Sequence, residues 1–199
     1  MAVLDTESSD LHRWVVDLGV CDSNGIPLLS TLVDPRAPLA AGAVKIHGIT
    51  AEMLAEANAP VFSDTLDALG RVIDGRTVVV YNLEYDLHCL AREVHRHARS
   101  VVGLVGAEAV EYTRTWLGRA RWADLMEPYA EWYGQWHPYW QSYTWQKLPY
   151  GDHRGLSDAC GAARLLRELA DGTAPRLPAL ERGPWEYGED DANGYGDWY

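Results

Sequence analysis

The segment Val3-Leu4-Asp5-Thr6-Glu7 places two carboxylates two residues apart, so in an extended strand both point to one side. Like charges this close are costly unless a cation neutralises them. On this motif alone, two solvated acids near a chain end are the simpler explanation. A third acid, Asp86, follows the hydrophobic run Val78-Val79-Val80-Tyr81 and falls in the first turn of the next helix. That is where α/β proteins tend to build sites, although a carboxylate there also suits the helix dipole. His153 and Asp158 lie in His153-Arg154-Gly155-Leu156-Ser157-Asp158. Gly155 leaves His153 in the loop, and Asp158 sits in the first turns of the following helix, able to face a sheet. A histidine so placed is ordinarily a cap or a surface residue.

Those residues need elements to hold them. Ala2 to Asp5 reads as a short strand. His12 to Cys21 alternates, with Trp14, Val16, Leu18 and Val20 on one face and Val15, Asp17 and Gly19 on the other. Ser23-Asn24-Gly25 makes a hairpin turn into Ile26–Val33, so three antiparallel strands open the chain. Pro35 and Pro38 force a loop, and helical periodicity starts near Thr50, an N-cap residue. A second helix begins after Ser63 and stops at Gly75; Thr77–Tyr81 reads as a buried strand of a parallel sheet. Leu83 to about Ala98 and Leu156 to Ala170 are amphipathic helices, and Trp122–Tyr133 reads as a strand end followed by a helix. Hairpin strands followed by alternating helices and strands predict an α/β fold, a mixed sheet with antiparallel N-terminal strands flanked by helices.

The order and separation of the acids resemble the DEDDh family of 3′→5′ exonucleases. Leu4-Asp5-Thr6-Glu7 is similar to the family's first motif, Tyr81-Asn82 through Asp86 and Leu90 to its second, and His153 with Asp158 to its third. Ile46-His47-Gly48-Ile49-Thr50 resembles a segment that family places between the hairpin and the first helices. The resemblance spans about residues 2 to 170. It implies a ribonuclease H-like fold, metal ligands at Asp5, Glu7, Asp86 and Asp158, and substrate contacts at Thr6, Leu11, His47 and Asn82. It also implies His153 as general base: the sister class uses Tyr four residues before the last Asp, where this chain has Arg154. The expected cofactor is a pair of Mg²⁺ ions, for which Mn²⁺ substitutes, because oxygen ligands suit both. Two ions about 3.5–4 Å apart align the water and stabilise both the attacking and the leaving oxygen. After Glu7 the family usually has Thr-Thr-Gly-Leu, whereas this chain has Ser8-Ser9-Asp10-Leu11; Tyr81 stands where many relatives have His.

The expected substrate is a DNA or RNA 3′ end, single-stranded by preference, with nucleoside 5′-monophosphate as product. A polymerase or another nucleic-acid-processing protein as partner, and a homodimer, stay open. The alternative is an accessory subunit of such a complex, either non-catalytic or trimming ends for its partner. Loss of a site acid, which would mark a non-catalytic subunit, is absent.

The chain has 199 residues, 47% hydrophobic and 23% charged, as expected of one folded domain. We assign residues 1–175 to it and 176–199 to a flexible acidic, aromatic and glycine-rich tail. The net charge of −12 disfavours a wide DNA-reading surface, but a site that holds cations needs carboxylates, and the ions invert the local field. Cys21, Cys89 and Cys160 are widely spaced and read as reduced core residues. No apolar run is long enough to cross a membrane, so the expected location is the cytoplasm. Trp132, Trp136, Trp140 and Trp145 crowd into one segment with Tyr129, Tyr133, Tyr139 and Tyr143. The simpler expectation is that they pack helices below the site; the other is that they stack bases of a single strand. Arg13, Lys45, Lys147 and Arg154 are the bases nearest the motifs.

Overall fold

The computed structural model describes residues 1–10 and 13–177. Leu11 and nearly all of the C-terminal tail therefore lie outside the described residues.

Among the described residues, seven strands and seven helices follow one another much as the hydrophobic periods require. The main sheet contains β1 (Ala2–Ser8), β2 (Val15–Asp22), β3 (Pro27–Leu32), β4 (Thr77–Val80) and β5 (Arg121–Asp124) in the order β3-β2-β1-β4-β5. β1 pairs antiparallel with β2 and parallel with β4, so the sheet is mixed and β1 lies at its centre. Its alternate side chains enter two different cores. Ala2 and Leu4 pack with Leu66, Leu69 and Leu90, from α3 (Phe62–Ile73) and α4 (Leu83–Ser100). Val3 packs on the opposite face with Ala159, Ala162 and Leu165 of α7 (Gly155–Ala170). Asp5 and Glu7 continue the α7 face, whereas Thr6 continues the α4 face.

β2 departs from strict alternation. Its pairing slips by one residue: Glu7 stands opposite Asp17, and Ser8 opposite Val15. The extra residue, Val16, turns into a third core with Ile49 and Leu54, while Val15 and Leu18 share the α4 side. This bulge bends the strand beside the acids.

Two helices escape the periodic pattern. α1 (Ala41–His47) is short and shows little apolar stripe, burying only His47, and α5 (Ala107–Leu117) buries only Ala109 and Trp116. Their neighbours follow expectation: Thr50 caps α2 (Ala51–Glu56), its side chain accepting from the Met53 amide at 3.3 Å. The aromatic segment is divided. Tyr129, Trp132 and Tyr133, on α6 (Met126–Tyr133), pack in the α7 core. Trp136, Tyr139, Trp140, Tyr143 and Trp145 are instead exposed, on and beside the small hairpin of β6 (Trp136–His137) and β7 (Ser142–Tyr143). The packing expected for the whole cluster is thus corrected for these five rings. All three cysteines are free thiols, Cys21 and Cys89 buried and Cys160 partly so. Among the described residues no helix is long and apolar enough to cross a membrane.

The N-terminus of α7 touches β2 backbone to backbone. A Cβ on Gly19 would fall inside hard contact with the Gly155 carbonyl carbon and the Leu156 amide, and a Cβ on Gly155 would lie 2.9 Å from the Gly19 amide. We expect Gly19→Ala to cost about 1–3 kcal/mol, the usual penalty for overpacking. For a chain of this size that lowers Tm by roughly 2–4 °C per kcal/mol. A thermal melt indistinguishable from the parent's would show that α7 is not seated so closely.

Candidate active site

Asp5 and Glu7 project from the end of β1, Asp86 from the first turn of α4, and Asp158 from the first turn of α7. Carboxylate oxygens of Glu7 and Asp158 and a ring nitrogen of His153 lie within 4.8 Å of one another, a spacing that suits a shared cation. Asp5 completes the group electrostatically. Burial holds its carboxyl well above the ordinary range, and the charges of Asp86, Glu7 and Asp158 push it further. Burial, with Asp158 and Asp86 beside it, raises Glu7 to about 8. Asp86 rises to about 7, mainly by burial and against two hydrogen bonds that favour its anion. Burial raises Asp158 as well. Four acids that oppose one another's ionisation in a half-buried pocket form a donor set of hard oxygens that fits divalent cations.

Neighbouring groups hold Asp86 and the start of α4 in place. Asp86 Oδ1 accepts from the Thr6 amide at 2.9 Å and from Thr6 Oγ1 at 2.6 Å, fixing α4 against β1. Both polar donors of buried Thr6 are therefore engaged by Asp86. Asn82 caps α4, its Oδ1 accepting from the Tyr85 amide at 3.2 Å. Asp124, at the end of β5, accepts from the Leu83 amide at 3.0 Å and the Glu127 amide at 2.8 Å, so one carboxylate caps both α4 and α6. Tyr85 and Ser8 share a short hydroxyl hydrogen bond, and the Arg13 guanidinium lies 4.7 Å from the Tyr85 ring centre.

His153 is exposed and sits in a left-handed backbone conformation, φ 61°. Such a conformation is uncommon for a non-glycine residue and persists only where its surroundings impose it. Both flanks are clamped. The Asp152 amide donates to Asp158 Oδ1 at 2.7 Å, and Gly151 lets the loop come close, since a Cβ there would lie 3.1 Å from Asp158 Oδ2. On the other side, Arg154 Nε and the Gly155 amide both donate to Asp17 Oδ2, at 3.0 and 3.2 Å.

Asp17 is the residue that motif reading misses. It is buried on β2 directly across from Glu7, a like-charge pair that costs energy without a counter-ion. Arg154 supplies it, and also lowers the proton affinity of Glu7. An aspartate in a strand covered on both faces needs a partner, and that double cover emerges only in the fold. Arg154, one of the four bases nearest the motifs, is paired here with Asp17. His47 is buried, its Nδ1 accepting from the Ile49 amide at 2.9 Å, and burial lowers its pKa. Lys45 and Lys147 are exposed.

The exonuclease family RNase_T matches residues 16–166, more than half of the chain. The chain belongs to this exonuclease family and is a nuclease by descent. Asp86, His153 and Asp158 fall within the matched stretch; Asp5 and Glu7 precede it. It is similar to the uncharacterized exonuclease CP81 of Escherichia phage 186, 32% identical over 168 residues, covering 83% of this chain and 80% of that protein. Among solved structures it is similar to exonuclease X in complex with 5′ overhanging duplex DNA. There the identity is 21% and the TM-score 0.48, covering 86% of this chain and 92% of that one.

The raised acids carry a thermal prediction. Glu7 releases its proton near 4.5 when unfolded and near 8 when folded, and Asp86 near 3.8 and near 7. Between those values the folded state binds more protons, so stability falls as pH rises. The contribution is complete below about pH 4 and gone above about pH 8. In chelator, Tm should drop by a few degrees from about pH 5 to 8, at ~2–4 °C per kcal/mol, and Mn²⁺ should restore it at the upper end. The fall should be smaller in Glu7→Gln; equal slopes for variant and parent would contradict this.

Proposed function

We propose that this nuclease is a 3′→5′ exonuclease that hydrolyses the terminal phosphodiester of DNA or RNA, releasing nucleoside 5′-monophosphates. The supporting observation is the convergence of Glu7, Asp158 and His153 within 4.8 Å, with Asp5 and Asp86 close enough to perturb them. Asp5, Glu7, Asp86 and Asp158 would hold two divalent ions, Mg²⁺ with Mn²⁺ as substitute. Bound there, such ions supply Lewis-acid stabilisation of phosphoryl charge. The chain's own groups do the rest. Thr6 orients Asp86, while the Asp152 amide on Asp158 and Arg154 and Gly155 on Asp17 fix the two sides of the turn, so that the His153 ring stays beside Glu7 and Asp158. Water attacks the phosphorus, the bond to the preceding 3′ oxygen breaks, and an imidazole nitrogen of His153 takes the proton that water gives up. Thr6 and Asn82 act in this reading by positioning Asp86 and α4 rather than by touching substrate. His47, buried under the same loop, supports the Ile49 backbone.

Digestion of 3′- and 5′-labelled DNA and RNA oligonucleotides, with Mg²⁺, Mn²⁺ or chelator, tests the reading. Stepwise mononucleotide release from the 3′ end, abolished by chelator, is expected. Release from the 5′ end, or activity indifferent to chelator, would refute it.

A further inference from the structure

One face of α4 carries a row of basic side chains that the site does not use. His88, Arg92, His95, Arg96 and Arg99 recur at three- and four-residue spacing, and Arg114 of α5 faces them across a groove of about 980 Å³. Among the described residues no carboxylate lines this groove, although the whole chain has a net charge of −12. Apolar side chains line it as well: Ala91, Val105, Val110 and Leu117. At 1.5 Å per residue, His88 to Arg99 spans about 16 Å, room for several successive phosphates.

Some of these basic side chains are structural and some are not. Arg96 meets buried Glu93 at 2.7 Å and donates to the Pro35 carbonyl, and Arg114 pairs with Glu111 at 2.9 Å. Arg92 stacks on Trp14, 4.9 Å from the ring centre, and among the described residues neither Arg92 nor Arg99 forms an ion pair. The row also has a direction. Tyr85 stands one helical step before His88, bonded to Ser8 next to Glu7 and covered by Arg13. The basic side chains thus run from the rim of the acidic cluster along α4 toward its far end.

From this arrangement we infer that the α4–α5 groove binds the phosphate backbone of the nucleic acid whose end is being cut. Arg92 and Arg99 are the phosphate contacts, and the apolar lining takes the sugar faces. The inference rests on the exonuclease reading but concerns grip rather than chemistry. In an acidic protein a confined cationic track of this kind lets the chain hold a polyanion while its carboxylates face only the end.

Fluorescence anisotropy of the full chain with a labelled single-stranded DNA 20-mer, in chelator and over a range of salt, tests it without turnover. Arg92→Gln/Arg99→Gln should raise Kd by about tenfold or more, as expected when charge-assisted contacts are lost. The plot of log K against log salt should become shallower by about 1.4, at ~0.7 per phosphate contact on a single strand. Because Arg92 also packs on Trp14, Arg99→Gln alone serves as the variant that leaves packing untouched, with about half the change in slope. A Kd and slope equal to the parent's in both variants, or a parent that fails to bind, overturns the inference. Hydrolysis of the p-nitrophenyl ester of thymidine 5′-phosphate by the parent with Mn²⁺ is read separately. Its absence would count against the nuclease reading and leave the anisotropy to judge the groove.

Discussion

Asp158→Asn should lower the rate of mononucleotide release by roughly 10³-fold or more while leaving the fold intact. Loss of one preorganised group that stabilises transition-state charge already costs about 10²–10³. Here the lost charge belongs to a carboxylate proposed to help hold the ions that serve both the attacking and the leaving oxygen. The amide keeps the shape of the side chain and an oxygen to accept from the Asp152 amide, so the His153 turn stays anchored. It also removes one of several mutually repelling acids, so metal-free stability should rise rather than fall. Asp5→Asn should behave in the same way, since its carboxyl is pushed up by the same neighbours. The measurement is steady-state hydrolysis of a labelled oligonucleotide alongside a thermal melt. Near-parental turnover in either variant, with the melt confirming the fold, would remove that residue from the metal set.

The second large effect is at His153, and the choice of substitution matters. Its φ of 61° costs a non-glycine residue energy, so His153→Gly fits the observed backbone better than alanine does. The clamps at Asp158 and Asp17 are made by Asp152, Arg154 and Gly155 and do not involve the imidazole. The turn should therefore survive, and stability should hold or improve. The rate should nevertheless fall by about 10²–10⁴, the usual contribution of a general base. Imidazole added to the buffer should restore part of it, which a purely structural role would not allow. Undiminished turnover in His153→Gly would make the ring a bystander.

The acids were legible because short-range rules suffice for them. Alternation puts Asp5 and Glu7 on one face, and a strand followed by a helix puts Asp86 at the carboxyl end of β4. The supports were harder to read, because they depend on contacts between residues far apart in the chain. Asp17 meets Arg154 and Gly155 across more than a hundred residues, and that meeting requires both the bulge at Val16 and the absence of side chains at Gly19 and Gly155. None of these has a local signature. Thr6 and Asn82 carry the motif, but Thr6 Oγ1 donates to Asp86 and Asn82 Oδ1 accepts from the Tyr85 amide, partners that residue type does not reveal. The aromatic segment misleads for the opposite reason. Its apolar content suggests burial, yet Pro138 and the hairpin geometry leave Trp140 and Trp145 more than half exposed. α5 hides because its one strong apolar anchor, Trp116, lies at its end and Val110 faces outward.

The gathering of Asp5, Glu7, Asp86 and Asp158 around paired cations is tested most directly by anomalous diffraction from crystals grown with Mn²⁺ and a nucleoside 5′-monophosphate. We expect two manganese peaks about 3.5–4 Å apart, within bonding distance of those four side chains and with the His153 ring alongside. Manganese bound elsewhere, or none at this cluster, would contradict it.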